Sequence, residues 1–441
     1  MARPENPRVL AARTLATCAR HSKSLAHLLS RLDRVPEKGL IQSLCYGTAR
    51  HFYPLERRLN AMLEHPLGSR ALPLQMLMMM GLHELNEGRR APHTVTNLFV
   101  DAARILGDER ASKLCNAILR RHLREQSAHA PAEAAEFYPT WMVEHIERDW
   151  PEQCGDILAA GNEHPPLHLR VNTAKISREE LLGRFEKAGV AARPLEGIDC
   201  AIQVETPQSP QNLPGFAEGL ISVQDISAQF AVPMLRTPEG ARVLDACSAP
   251  GGKLCHWLES CPGISASAVE INRTRAPQIQ ANLKRLGLRA KLILADAAKP
   301  KTWPEEWLGR GRKSKRFDRI LLDAPCSGSG VMRRQADIRM TLSPRQLEEN
   351  ARTQLRLLRA LWPLLAPGGL MLYSVCSIFR QEGDSVVARF LEQSPLADRA
   401  RIAPVPGTVR TDCGLQLLPG GGLGGDGFYY ALLRKSTPGA A

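Results

Sequence analysis

Along the first 125 positions, apolar residues return every three or four residues. Leu25, Leu28, Leu29 and Leu32 share one helical face, and longer stretches of the same period run around Gly39–Leu63, Leu72–Glu87 and Pro92–Leu123. The pattern predicts an all-helical region over residues 1–126, with the run Leu77-Met78-Met79-Met80 as core packing. Ser127–Glu136 is small, polar and contains proline, as linkers do, and a short helical segment with Trp141 and Trp150 follows, so residues 127–164 form a connection. LHLRVNT at 167–173 alternates like a half-buried strand. SREELLGRFEKAG at 177–189 reads as a helix stopped by glycine, which predicts a small α/β module over 165–220.

From residue 221 to 441 the period switches repeatedly between two and about 3.6. Strands are expected at 241–247, 264–270, 291–297, 317–325, 369–377 and 427–435. Strands alternating with helices predict a mostly parallel sheet covered on both faces. Gly309–Lys315 is a basic loop, Gly420–Gly427 a flexible turn, and the residues after Lys435 a frayed tail.

Charge adds a partner class. The formal net charge is +13, and residues 1–125 hold 20 Lys and Arg against 11 Asp and Glu. A basic excess of this kind favours a polyanion, with nucleic acid the commonest. Arg50, Arg57, Arg58, Arg120 and Arg121 are candidate RNA contacts, against the plainer reading as surface charge. Aromatic residues make up only 5%, too few for broad base-stacking platforms. There is no apolar segment of signal-peptide or membrane-spanning type, so a cytoplasmic protein with reduced thiols is expected. None of the eleven cysteines forms a C-x-x-C pair, which argues against a structural metal.

In an open α/β sheet, ligands bind beyond the carboxyl ends of the strands. The expected strands end in Asp245-Ala-Cys-Ser-Ala-Pro-Gly-Gly-Lys253, in Glu270, in Asp296, in Asp323-Ala-Pro-Cys326-Ser-Gly and in Ser374-Val-Cys376-Ser. Gly251 and Gly252 allow close backbone approach before a helix N-terminus. The loop matches neither a P-loop, since Leu254 follows the lysine, nor the dinucleotide G-x-G-x-x-G. Glu270 can accept ribose hydroxyls, and Asp296 an adenine amino group. Eight of the cysteines read as small packing residues (Cys18, Cys45, Cys115, Cys154, Cys200, Cys255, Cys261 and Cys413), whereas Cys326 and Cys376 share one sheet edge and read as reactive thiols.

SAPGGK (248–253), DAPCSGSG (323–330), YSVCS (373–377) and DGFYYA (426–431) together resemble the NOL1/NOP2/Sun family of RNA cytosine-5 methyltransferases. LCYGTARHFYPLE (44–56) and SKLCNAILRR (112–121) resemble the NusB-like RNA-binding domain, and PPLHLRVN (165–172) with SVQDISAQ (222–229) the family's small N-terminal module. The resemblance implies a Rossmann-like class I methyltransferase domain over 221–441, behind an all-α NusB-like domain and a small α/β module. It further implies S-adenosylmethionine as methyl donor. Cys247, Ser248, Ala249, Pro250, Gly251, Gly252 and Lys253 would wrap its methionine part, Glu270 its ribose and Asp296 its adenine. Asp323 would lie beside cofactor and target base, Cys376 would be the nucleophile and Cys326 would assist release. The implied substrate is a cytosine in unassembled 16S ribosomal RNA, methylated in the cytoplasm by a monomer with no DNA, membrane or metal. The sequence departs from the family pattern at Val375 (usually Thr), Glu270 (often Asp) and Gln335-Ala336 (often His-Pro). The rival readings are a tRNA cytosine-5 methyltransferase, a non-catalytic RNA-binding assembly factor in a methyltransferase shell, and a methyltransferase for a small molecule or protein.

Overall fold

The computed structural model describes residues 6–32, 35–125, 132–206, 208–308 and 316–437, so the basic loop Gly309–Lys315 and part of the linker Ser127–Glu136 lie outside the described residues. The chain forms two compact units. One comprises residues 1–164 with 332–343, and the other 165–331 with 344–441.

The first unit is helical. Asn6 Oδ1 accepts from the amides of Arg8 (2.9 Å) and Val9 (3.4 Å) and so caps the first helix, Pro7–His21. The expected stretch from Gly39 to Leu63 is two helices, Lys38–Arg50 and Phe52–Met62, meeting at His51; Pro92–Leu123 is likewise Pro92–Leu106 and Glu109–Glu125. Leu72–Glu87 is apolar almost all round, and residues 76–85 are all buried. A helix without a polar face belongs at the centre of a bundle. This one packs against Pro7–His21, Lys38–Arg50, Pro92–Leu106 and Glu109–Glu125.

Residues 332–343 belong to this core although they lie far along the chain. Ala336 is fully buried among the helices, and Asp337 Oδ2 accepts from the Leu25 amide (2.9 Å) at the start of helix Leu25–Ser30. Arg339, 1% exposed, donates to Arg50 O (3.1 Å), to Asn162 Oδ1 (2.7 Å) and to Gly161 O, over the face of Tyr138. Arg50 and Gly161 lie in the last turns of Lys38–Arg50 and Cys154–Asn162, so a buried cation without a carboxylate is sustained by two helix C-termini. Burial, helped by the charge of Arg50, pushes its pKa down to about 10.

Four of the five arginines considered for RNA have partners in this unit. Arg50 donates to the carbonyls of Glu163 and Arg333, Arg57 pairs with Glu136, and Arg58 and Arg121 share Glu125. Solvent-exposed pairs are worth about 0–1 kcal/mol, so a phosphate can take the place of the carboxylate at Arg57 or Arg121, whereas Arg50 is part of the fold.

The second unit holds two sheets. In the small one the order is β2-β3-β1-β4, with β1 Leu167–Val171, β2 Ala192–Pro194, β3 Ala201–Val204 and β4 Ile221–Val223, all antiparallel. Its helix Arg178–Lys187 begins in a capping box between Ser177 and Glu180. The large sheet consists of β5 Arg242–Ala246, β6 Ser265–Glu270, β7 Lys291–Leu294, β8 Phe317–Asp323, β9 Leu365–Val375, β10 Ala397–Arg399, β11 Thr408–Arg410, β12 Leu415–Leu417 and β13 Phe428–Lys435. Its order is β11-β12-β13-β9-β8-β5-β6-β7, with β10 beside β13. The pairs from β7 to β9 are parallel, and those involving β10 to β13 antiparallel. Separate apolar clusters, one containing Trp257 and Ile279 and the other Leu355 and Phe390, cover its two faces. The sheet is thus α/β and mixed, mostly parallel at its centre. The three-residue strands β10 to β12 carry too little pattern to be seen in the sequence.

The turn Gly420–Gly427, expected to be flexible, is packed. Asp426 is buried and its amide donates to Asp225 Oδ1 (2.9 Å), and the Gly427 amide donates to Gly330 O (2.8 Å). A Cβ on Gly330 would come within 2.0 Å of Gly427 O, so only glycine lets the two backbones cross there.

Candidate active site

Strand pairing fixes how the reactive residues line up. Ala246 is opposite Val269, Glu270 opposite Leu294 and Asp323 opposite Ser374, which puts the carboxyl ends of five parallel strands along one edge. Beyond β5, Cys247 takes φ 62° and Gly251 φ 94°, and Gly251 then opens helix Gly252–Ser260. The loop between them is held from outside by Arg275 on Ala249 O (2.6 Å) and Asn282 on Pro250 O (3.0 Å).

Glu270 is buried at the end of β6; its carboxylate accepts from the amides of Ala249 (3.0 Å) and Asn272 (2.8 Å). Asp296 lies two residues past β7, because that strand ends at Leu294 and not at 297, and its side chain is a quarter exposed beside the turn to Ala298. Asp245 was noted as a strand-end residue without a role. It is 1% exposed, with Oδ2 accepting from Ser248 Oγ (2.7 Å) and a buried Oδ1 that has no hydrogen-bond partner. Burial pushes its pKa up to about 7, against the Ser248 hydrogen bond.

Asp323 ends β8. Its Oδ2 accepts from Lys253 Nζ (2.7 Å) and its Oδ1 from Ser374 Oγ (3.1 Å), while Lys253 also sits over the Phe428 ring. Three residues on, the Cys326 sulfur lies 3.4 Å from that of Cys376, the residue after β9, and both cysteines are half-buried. The Cys326 thiol is held well above its ordinary pKa, first by the hydrogen bond to Cys376, then by burial and by the charges of Cys376 and Glu382. Either sulfur can be the donor of that contact. The residues expected at the site therefore meet along one edge of one unit. Cys18, Cys45, Cys115 and Cys255 are buried elsewhere, and Cys154, Cys200, Cys261 and Cys413 are half-buried.

One group was missed by the sequence reading. Glu382, fully buried, accepts from the Ser327 amide (2.8 Å), from Ser327 Oγ and from Gln354 Nε2 (3.0 Å), directly behind the two cysteines. An acidic residue in the polar stretch Arg380–Asp384 carries no periodic mark of burial, so only its place shortly after Cys376 could have drawn notice.

Comparison with known proteins agrees along the whole chain. A family model described as 16S rRNA methyltransferase RsmB/F matches residues 232–434, one for the ferredoxin-like domain of RsmF/B-like methyltransferases matches 138–211, and one for the NusB family matches 5–124. A Coxiella burnetii protein named probable ribosomal RNA small subunit methyltransferase B is 38% identical over 94% of this chain and 95% of its own. A Klebsiella pneumoniae ribosomal RNA small subunit methyltransferase B is 36% identical over 98% of each chain. Among solved structures, that of PH0851 shares the fold, with a TM-score of 0.79 at 21% identity over 99% of this chain and all of the other. A NusB-family region, a ferredoxin-like module and a methyltransferase domain in this order, together with near-full-length identity, mean that the chain belongs to the RsmB/F family of 16S rRNA methyltransferases.

Proposed function

We propose that this protein transfers a methyl group from S-adenosylmethionine to carbon 5 of a cytosine in 16S ribosomal RNA, through a covalent bond between Cys376 and the base. The observation that carries this reading is the contact between two thiols at the strand ends beside Asp323, in a chain of this family.

The residues fit the cofactor. Cys247 to Lys253 form a loop ahead of a helix N-terminus, suited to the methionine carboxylate. Asp245 Oδ1, buried and without a partner, suits its amino group. Glu270 would take the ribose and Asp296 the adenine. When bound, S-adenosylmethionine supplies an electrophilic methyl group. Cytosine carbon 5 is a weak nucleophile within an aromatic ring, and the enzyme's residues change that. The Cys376 thiolate adds to carbon 6, making carbon 5 enamine-like. Asp323, if protonated, would hydrogen-bond ring nitrogen 3 and stabilise the charge that develops there. Once carbon 5 is methylated, a base takes its proton, the freed electron pair re-forms the carbon 5–carbon 6 double bond, and the carbon 6–sulfur bond breaks to return the Cys376 thiolate, which Cys326 helps to leave by hydrogen-bonding it. The target base must be unpaired or flipped out for a thiol to reach carbon 6. A single copy of the chain carries every residue named, so the proposed chemistry needs no second copy. No helix among the described residues is long and apolar enough to cross a membrane.

Asp245 gives a pH signature. Its pKa of about 7 lies above the ordinary 3.8, so the folded protein holds this proton more tightly than the unfolded chain does. The stability it contributes is full below about pH 4 and is lost as pH rises through about 7. An amino group bound against Oδ1 favours the carboxylate. Cofactor affinity should therefore rise from about pH 6 to about pH 8, and Asp245→Asn should flatten that rise. Calorimetric titration without RNA reads this directly, and an equal slope in the variant would remove Asp245 from the site.

The substrate assignment is tested by methyl transfer from labelled S-adenosylmethionine to protein-free small-subunit ribosomal RNA, with tRNA alongside. Label recovered as 5-methylcytosine in the ribosomal RNA is the expected result. Label in tRNA alone would overturn the substrate and keep the chemistry, and label on another base would overturn the chemistry.

A further inference from the structure

The mechanism above uses the two cysteines and leaves unexplained why a carboxylate is buried behind them. Glu382 is 0% exposed and lies in the loop between β9 and helix Asp384–Glu392. Its carboxylate takes the backbone amide and the hydroxyl of Ser327, the residue after Cys326. The Ser327 hydroxyl in turn contacts that of Ser377, the residue after Cys376. The two hydroxyls lie 3.3 Å apart, and Ser329 Oγ, 3.0 Å from Ser377 Oγ, closes the cluster. Gln354 Nε2 bridges Glu382 Oε1 and Pro325 O, both at 3.0 Å, and the Tyr373 hydroxyl donates to the Glu382 carbonyl. A buried charge is costly unless it is hydrogen-bonded, and this one is, by Ser327 beside Cys326 and by Gln354.

We propose that Glu382 is the positioning residue of the two-cysteine centre. Bonded to the residue that follows Cys326, and through its hydroxyl linked to the residue that follows Cys376, its single carboxylate holds the sulfurs in contact and brings negative charge to the Cys326 side, so that Cys326 keeps the proton and Cys376 is left to attack. The proposal rests on the division of roles stated above. Apart from Glu382, the titratable groups facing Cys326 among the described residues are Cys376 and Tyr373, with Asp323 three residues earlier in the chain and paired to Lys253. Burial raises the pKa of Glu382 itself, opposed by the hydrogen bonds from Ser327, Ser377 and Gln354. Its negative charge opposes ionisation of Cys326, so neutralising it lets Cys326 lose its proton at lower pH.

The experiment alkylates the full-length protein with iodoacetamide over a pH series and quantifies the Cys326 peptide by mass spectrometry. Cys376→Ser is used as the background, so that Cys326 titrates alone. Adding Glu382→Gln should move the Cys326 midpoint down by about one pH unit. In the Cys376-containing enzyme, Ser377→Ala removes one arm and leaves the charge in place. It should lower kcat about ten- to a hundredfold at unchanged KM for RNA, with the Cys326 midpoint unmoved. An unmoved midpoint in folded Glu382→Gln overturns the proposal, whatever happens to turnover. Should Glu382→Gln not fold, an unchanged kcat in Ser377→Ala overturns it instead. Alkylation needs neither RNA nor cofactor, so failure of the cytosine reading would show as absent methyl transfer by the wild-type enzyme, apart from the thiol result.

Discussion

Cys376→Ala is expected to lower methyl transfer by roughly 10⁴-fold or more while leaving cofactor binding intact, because an enzyme without its nucleophile retains only positioning and electrostatics. Cys326→Ala should behave differently. It leaves the attacking sulfur but removes the partner that assists its departure, so a covalent protein–RNA adduct should accumulate and survive denaturing electrophoresis. The two sulfurs are 3.4 Å apart and both half-buried, so proximity alone does not distinguish them. The surroundings differ, since the contact with Cys376, burial and the charge of Glu382 raise the pKa of Cys326. An adduct in Cys376→Ala and none in Cys326→Ala would reverse the assignment. Replacing either half-buried cysteine by alanine removes little volume, so both variants should fold, and a melting curve beside the gel checks this.

Arg170→Ala is expected to destabilise the second unit by about 3–5 kcal/mol, seen in calorimetry as a fall in Tm of about 10 °C. Arg170, on β1, is 1% exposed and makes two hydrogen bonds with Glu259, at 2.9 and 3.0 Å, within a site shared with Gln224. Its truncation leaves the Glu259 carboxylate buried and unpaired, which costs far more than an exposed pair is worth. Arg170→Met with Glu259→Leu removes both charges and should be less destabilised than the single variant; a double variant as unstable as the sum of the singles would show the ion pair to be irrelevant. Arg170 Nη1 also donates to Gly252 O (3.0 Å), at the start of the helix that follows the glycine loop. Cofactor affinity should therefore fall together with stability, linking the small module to the loop proposed to hold the methionine part.

Much of this protein is legible from local pattern. The helices of the first unit follow from apolar residues at a period near 3.6, whereas the breaks at His51 and Gly107 do not interrupt that period and show only in the structure. The strands of the central sheet follow from short apolar runs bounded by glycine and proline. Reactive residues at their ends stand out because parallel strands must all present their carboxyl ends to one edge. That is why Cys326 and Cys376 could be paired although fifty residues separate them.

What sequence could not decide are positions whose environment comes from distant chain. Alternation along LHLRVNT would turn His168 and Arg170 to solvent, yet both are buried, because Asp225 takes the imidazole and Glu259, on helix Gly252–Ser260, takes the arginine. Residues 332–343 follow the Cys326 loop directly but fold into the helical core, where Ala336 packs and Arg339 closes two helix ends; a short stretch has no period that could announce this. Glu382 looks like a surface acid until Ser327 and Gln354, from separate elements, converge on it. Local sequence sets which elements form and which chemistry lies at their ends, through backbone periodicity and turn chemistry. Which polar groups are buried and tied together is set by packing between elements far apart in the chain, where desolvation makes each unpaired charge costly and each satisfied one specific.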